Sequence, residues 1–415
     1  MHGRGADRPS VNLLAEVFVR FLRLGCTSFG GPIAHLGYFR REFVARAAWL
    51  DDAAYTEIVA LCSVLPGPTS SQVGIMIGAR RAGPLGGLLA WLAFTTPSAI
   101  ALGALGIFLR GASQGAYGSF PHGPRFEGAL EGLAAAAAAV VLIAVVQLGR
   151  TILRTQLAGW IAALAFLLAL GLDRFAPSFQ WVALVAGGAL GGFLGPAPAA
   201  LPARAPALAV PRRTALIAGS AFVVLLVGLP IVALPGTYLD LFTTFYRAGS
   251  LVFGGGHVVL PFLQSLIGPA ISERTFFAGY GAAQAVPGPL FTFSAFLGAA
   301  VRPLGGVVGA LVALAGIFLP SFLLLAAVVP LWSALRQIPH AAKTLAGLNA
   351  AVVGLLAAVF VDPIATTLGR DPVGIAIALL ALAALGWARL PAWLVVAAAA
   401  ILGALVRSYA LPSTL

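Results

Sequence analysis

The chain reads as long apolar runs separated by short polar breaks. The runs fall near residues 12–30, 54–78, 84–109, 128–148, 152–171, 179–194, 213–233, 238–262, 275–299, 304–332, 344–361, 372–387 and 391–406. Each approaches the length of about 20 residues that a helix needs to cross bilayer hydrocarbon, and thirteen of them would use about 260 residues. The expected fold is all-α, a polytopic membrane protein of about 12–13 helical segments. Composition supports this, because 60% of the 415 residues are hydrophobic and only 9% are charged, against roughly 25% charged in soluble proteins.

A Pro/Ala-rich stretch, Gly195 to Arg213, carries no helical pattern and reads as a linker. It nearly bisects the chain, and the two sides repeat one another. Arg23-Leu24-Gly25-Cys26-Thr27-Ser28-Phe29-Gly30-Gly31 returns as Arg247-Ala248-Gly249-Ser250-Leu251-Val252-Phe253-Gly254-Gly255. Pro66-Gly67-Pro68 returns as Pro287-Gly288-Pro289, Pro84-Leu85-Gly86-Gly87 as Pro303-Leu304-Gly305-Gly306, and Pro97-Ser98 as Pro320-Ser321. Leu130-Glu131-Gly132-Leu133 matches Leu345-Ala346-Gly347-Leu348. The expected domains are a first repeat over 1–195, a linker plus connecting helix over 196–236, and a second repeat over 237–415. With an odd connecting helix and every segment crossing, the repeats are inverted, the arrangement from which many secondary transporters build a central site.

The charge balance is 25 Lys+Arg against 13 Asp+Glu, a net +12. Such an excess attracts anionic lipid, biases topology, or attracts an anionic substrate. Placing the N-terminus in the cytoplasm puts thirteen basic residues in inner loops against nine outside. Arg40, Arg41 and Arg46 then fall outside, which a re-entrant first segment would repair. Met1 to Ser10 is polar and no cleavable signal peptide is visible. Cys26 and Cys62 lie in apolar segments and read as small buried hydrophobes. No disulfide framework, soft-metal site, cofactor motif or Walker lysine is apparent. An enzyme and a nucleic-acid partner are not expected.

The candidate chemistry sits at four broken segments. Broken backbone at bilayer depth survives only where it is buried in protein or lines a polar cavity, and matched breaks in two halves point to a transporter's substrate site. Two breaks carry Ser28, Gly30 and Gly31, and Gly254 and Gly255 with His257. Two carry Pro66, Gly67, Pro68, Ser70, Ser71 and Gln72, and Pro287, Gly288 and Pro289. Residues after such a turn can start a half-helix whose free N–H groups and positive dipole end suit an anion. Arg23 and Arg247, one turn before the Gly-Gly breaks, add positive charge, or snorkel to an interface. His35 and Glu57 are candidates for proton coupling. The competing reading of these glycines is close helix packing without a ligand.

These motifs resemble the chromate ion transporter family in its long, two-domain bacterial form. Phe21 to Gly37, Glu42-Phe43-Val44, Trp49-Leu50 and Ala60 to Gln72 carry the likeness, extended by Arg80, Gly83, Phe94 and Pro97-Ser98. In the second half Phe253 to His257 and Ala285 to Pro289 match. The resemblance implies a secondary transporter in the bacterial inner membrane that exports chromate and confers chromate resistance, with sulfate as a similar tetrahedral oxyanion. Expected partners are the oxyanion and the lipid bilayer, with a homodimer as one open arrangement. The alternatives are import or exchange of sulfate or another anion, a non-transport membrane scaffold, and a membrane reductase, for which metal and flavin motifs are missing.

Overall fold

The computed structural model describes residues 11–113, 123–173, 180–196, 208, 210–253, 256–267, 270–332, 339–369 and 371–409. Helices and turns account for the described residues, without a strand among them. Five described helices are long and apolar enough to cross a membrane: Thr69–Ala112, Pro124–Ile152, Arg212–Val232, Gly306–Leu331 and Ala342–Leu368. Shorter apolar helices accompany them at Gln156–Gly171, Trp181–Leu194, Pro372–Gly386 and Ala392–Ser408.

The four segments that carry the breaks fold back on themselves as hairpins. In the first, α1 (Val11–Thr27) runs inward, turns at Ser28–Gly30, and returns as α2 (Gly31–Phe39), which continues as a π-helix over Arg40–Arg46. The return is antiparallel: the Phe21 and Phe43 rings stack 4.7 Å apart, and Arg20 Nη1 reaches Glu42 Oε1 at 2.6 Å. In the second, α3 (Asp52–Val64) runs inward to Pro66-Gly67-Pro68, and the first arm of α4 (Thr69–Ser113) comes back out. That arm ends where it began, since Arg81 pairs with Glu16 at 3.0 Å and lies 5.0 Å from the Trp49 ring centre. The backbone then reverses at Ala82 (φ −141°) and Gly83 (φ +69°). Only the second arm crosses to Arg110.

Arg110 defines the opposite face, donating from Nη2 to the Pro303 carbonyl at 2.8 Å. Pro303 follows the second-half hairpins, α9 (Tyr238–Leu251) with α10 (Val259–Ile267), and α11 (Glu273–Ala285) with α12 (Phe293–Ala300). Tyr280 and Phe276 on α11 pack on Phe293 of α12 across their turn, with ring centres 5.6 and 5.3 Å apart. α13 (Gly306–Val328) runs back beside α12, where Gly298 lies against the Gly309 carbonyl. Gly78 on the first arm of α4 lies the same way against Gly86 of the second. First-half hairpins therefore enter from the face of Glu16, Trp49 and Arg81, called face A below. Second-half hairpins enter from the face of Arg110 and Pro303, called face B.

Local sequence explains these shapes. The surface ends of the hairpins start on side-chain caps: Asp51 accepts from Ala54 N, Thr237 from Asp240 N and Ser272 from Thr275 N. The buried ends stop at glycines with left-handed φ: +100° at Gly30, +111° at Gly67 and +100° at Gly288, a conformation that other residues adopt only at a cost. Prolines flank the glycines of the second and fourth turns and deny the helix its next N–H donor.

Around the hairpins stand α5 (Pro124–Ile152), α6 (Gln156–Asp173), α7 (Gln180–Leu194), the connecting α8 (Arg212–Val232), α14 (Pro339–Val359), α15 (Pro372–Gly386) and α16 (Ala392–Tyr409). Glycine and alanine let their backbones touch: Gly128 and Gly132 of α5 meet Gly403 and Ala399 of α16, and Gly187 and Gly191 of α7 meet Gly347 of α14. On face B, Glu131 of α5 accepts from Arg407 of α16 at 2.8 Å and from Arg274 of α11 at 2.9 Å. This ties a re-entrant hairpin to the surrounding helices. Most of the linker lies outside the described residues, but Leu208 and Val210 pack on the first-half core.

The segment count of about thirteen holds, but the segments at 12–30, 54–78, 238–262 and 275–299 turn back rather than cross. Arg40, Arg41 and Arg46 accordingly lie on face A with Arg81, and Arg274 lies on face B. Two fewer crossings in each half leave the parity intact, so the halves still enter from opposite faces.

Candidate functional site

The hairpin tips meet inside the protein and exchange hydrogen bonds reciprocally. The Gly67 amide donates to the Val252 carbonyl at 2.7 Å, and the Gly288 amide donates to the Ser28 carbonyl at 2.9 Å. Each Pro-Gly-Pro turn is thus held by the Gly-rich break of the other half. Ser28 lies twelve residues beyond the face A ion pair of Glu16, about 18 Å along a helix, against a hydrocarbon thickness of about 30 Å. The contact lies near mid-depth.

The crossing helices repeat the exchange. A Cβ on Gly67 would sit 2.7 Å from Ser321 Oγ on α13, and one on Gly288 would sit 2.8 Å from Ser98 Oγ on α4. The serines that follow Pro97 and Pro320 therefore wall in the opposite half's turn. Nothing in their local sequence marks them as walls of a turn; it shows them as landmarks of the repeat and, for Pro97-Ser98, as part of the family likeness.

Polar side chains gather around the first-half turn. Gln72 Nε2 donates to the Pro66 carbonyl at 2.6 Å and reaches Ser321 Oγ at 3.3 Å. His35 has no exposed surface; its Nε2 lies 3.2 Å from the Ser28 carbonyl and its Nδ1 lies 3.3 Å from Ser70 Oγ. It joins the tips of the first two hairpins, with its ring edge on Phe94. The second-half turn is more apolar: Thr292 caps the Pro289 carbonyl at 2.7 Å, between buried Leu290, Phe291 and Phe293.

Among the described residues, several buried polar atoms near the turns have no hydrogen-bond partner: Ser28 Oγ, Ser71 Oγ, Gln72 Oε1 and Ser294 Oγ. An unsatisfied buried polar group costs about 1–3 kcal/mol.

Other expected residues lie further away. Arg23 is exposed on α1 and Arg247 is half-buried on α9; neither makes an ion pair among the described residues. Gly31 follows the first break with φ +74° and open space where a Cβ would go. Glu57 is 8% exposed on α3, seven residues before that helix ends at Val64. Gly254 and Gly255 lie outside the described residues; His257 falls in a short 3-10 turn, Gly256–Val258, and its side chain also lies outside them. The face A cluster of Glu16, Arg20, Glu42 and Arg81, and the face B cluster around Glu131, depend on tertiary pairing that no local motif announces.

Sequence comparison finds relatives along most of the chain. A "Chromate transport protein" of Pseudomonas aeruginosa is 30% identical over 371 residues, covering 86% of this chain and 82% of that protein. A "Chromate transport protein" of Cupriavidus metallidurans is 28% identical over 397 residues, covering 94% and 92%. A "Probable chromate transport protein" of Synechococcus elongatus is 28% identical over 365 residues, covering 83% of each. No solved structure matches. The sequence model of the family described as Chromate transporter matches residues 15–193 and 239–404, so the chain belongs to the chromate transporter family and is a multi-pass membrane transporter rather than an enzyme.

Proposed function

We propose that this chain is a secondary transporter that exports chromate, or a tetrahedral oxyanion of the same kind such as sulfate, across the bacterial inner membrane. The observation that carries the reading is the reciprocal pair of bonds from Gly67 to Val252 and from Gly288 to Ser28. In each, a carbonyl oxygen occupies the position in which a turn's N–H would meet an oxyanion oxygen. Parting the tips frees both amides, and the buried hydroxyls of Ser28 and Ser71, which have no partner among the described residues, belong to the same turns. The helix that starts at Thr69 adds the positive end of its dipole. Arg23 and Arg247 act from further away, as charges that draw an anion toward the tips.

Alternating access then follows from the direction of entry. Hairpins anchored at face A and at face B meet at mid-depth, so withdrawing one pair opens the site to one side while the other pair still closes it. The two repeats span 1–195 and 237–415, with 196–236 between them. Moving Arg40, Arg41 and Arg46 to the face of Arg81, and Arg274 to the other, strengthens the excess of positive charge on face A. Face A is then cytoplasmic, and the N-terminus with it. Export of a dianion is downhill by about 4.6 kcal/mol per 100 mV of inside-negative potential, enough to confer resistance without ATP. Proton coupling through His35 or Glu57 would add a dependence on the pH gradient.

Uptake of radiolabelled chromate and sulfate into everted vesicles tests the proposal, with potential and pH gradient imposed separately. Chromate accumulation driven by the potential supports export by uniport. Accumulation only in right-side-out vesicles would favour import, and no flux of either anion with folded protein would overturn the reading.

A further inference from the structure

The buried side chains around the hairpins fall into two large apolar cores, and the seam between them crosses two helices at a proline. One core holds the first-half hairpins, with Phe21 of α1, Phe43 of its return and Leu61 of α3, and takes in α4 as far as Phe94. The other runs from the second-half hairpins, with Phe245, Phe276 and Phe293, into α5, α6, α7 and α14. α4 passes from the first core to the second between Phe94 and Leu102, and Pro97 lies in that interval. α13 passes from the second to the first between Phe318 and Leu325, and Pro320 lies in that interval. Trp91 stands at the seam, its ring edge-on to Phe318 at 5.4 Å and to Phe322 at 5.5 Å.

A proline inside a helix brings no N–H to the carbonyl four residues back, so that turn lacks a bond and bends more readily than its neighbours. Those carbonyls belong to Ala93 and Gly316. The hairpins grip the crossing helices on opposite sides of these weak points. At Gly25 of α1 a Cβ would sit 2.7 Å from the Phe94 carbonyl and 2.9 Å from that of Ala93, on the face A side of Pro97. At Gly249 of α9 one would meet the Ile317 carbonyl, on the face B side of Pro320. Packed cores shift as units rather than deform continuously. We infer, on the alternating-access reading above, that Pro97 and Pro320 are paired hinges, about which the first-half hairpins, with the face A ends of α4 and α13, rock as one body against the rest. The bonds that the tips exchange, Gly67 to Val252 and Gly288 to Ser28, both cross the seam, so a single rotation parts them together. Pro97 and Pro320 are positioning residues, which act on the substrate through the tips that they let move.

The test uses the full-length protein in vesicles, with each proline replaced by alanine, which restores the missing N–H. Pro97→Ala and Pro320→Ala should each lower the maximal chromate flux at least about 10-fold, keep KM within about 2-fold, and leave the midpoint of thermal unfolding unchanged or higher. Pro97→Gly, which keeps the turn pliable, should transport faster than Pro97→Ala. A proline that only shapes the fold would lose stability and flux together, and that result would overturn the hinge. Spin-label distances follow the motion without relying on flux, in a Cys26→Ser, Cys62→Ala background. Labels at Arg41→Cys and Arg80→Cys, both exposed on the first-half hairpins, should give one narrow distance. Labels at Arg41→Cys and Arg154→Cys span the seam, since Arg154 is exposed just beyond the face A end of α5. They should give two distances, reduced to one when both prolines are replaced by alanine. One narrow distance for each pair in wild type, with and without chromate, would overturn the hinge whatever the flux. Two distances across the seam in a protein that moves no chromate would keep the hinge and reject the proposed substrate.

Discussion

Gly67→Ala puts the reciprocal contact to a quantitative test. At φ +111° an alanine costs about 1–2 kcal/mol relative to glycine. Its Cβ would also lie 2.7 Å from Ser321 Oγ and 2.9 Å from Gln72 Nε2, closer than atoms can stay. Gln72 would have to leave the Pro66 carbonyl that it reaches at 2.6 Å, and a buried group left unsatisfied costs about 1–3 kcal/mol. Together these penalise the closed turn by about 2–5 kcal/mol, and at about 1.4 kcal/mol per tenfold the initial rate of chromate uptake into everted vesicles should fall by about 30- to 3,000-fold. Adding Ser321→Ala removes the nearest colliding atom but leaves the backbone strain. Because the Gln72 contact at 2.9 Å also remains, the double variant should recover only part of the flux and stay at least about 5-fold below wild type. Wild-type flux in Gly67→Ala, at equal protein in the membrane, would refute the argument that this turn shapes the site. A double variant as slow as the single one would refute the part played by Ser321.

Gly288→Ala, where Ser98 Oγ stands 2.8 Å from the new Cβ, should show the same rescue with Ser98→Ala when assayed in the same vesicles. Gly31→Ala meets open space and pays for its φ of +74° alone, so its loss of flux should stay near the 5- to 30-fold equivalent of about 1–2 kcal/mol. His35→Ala removes one of the two partners of the Ser28 carbonyl, the other being the Gly288 amide, and the partner of Ser70 Oγ; flux should drop by the equivalent of about 1–3 kcal/mol, and His35→Asn should restore part of it. Glu131→Gln leaves Arg274 and Arg407 without their shared carboxylate. Between the limits for exposed and buried pairs this costs about 1–2 kcal/mol, to be read as a lowered midpoint of thermal unfolding.

The membrane setting, the number of apolar segments and the four breaks were legible in the chain because each leaves a local trace. Hydropathy marks the segments, and glycine and proline mark the breaks. Whether residues 54–78 cross or turn back left no such trace, since a helix, a Pro-Gly-Pro turn and a second helix together have the apolar length of one crossing. The misplaced arginines at 40, 41 and 46 were the signal that the first segment turns back. No equivalent charge flags the second, because its return arm ends at Arg80 and Arg81, where a crossing helix would also end. Ser98, Ser321 and the cluster around Glu131 were invisible for a different reason: their meaning lies in partners up to 276 residues away.

The exchanged contacts also bear on how such a chain can evolve. The residues that receive each Pro-Gly-Pro turn lie 185–260 residues from it along the chain, in its other half. A substitution at Ser98 is therefore judged by its fit to Gly288, and one at Ser321 by its fit to Gly67, so these distant positions are bound to change together. A half-length gene product would carry a key and a lock that do not match within one molecule. On the proposed repeat organisation, a second chain inserted in the opposite orientation would be needed to complete it.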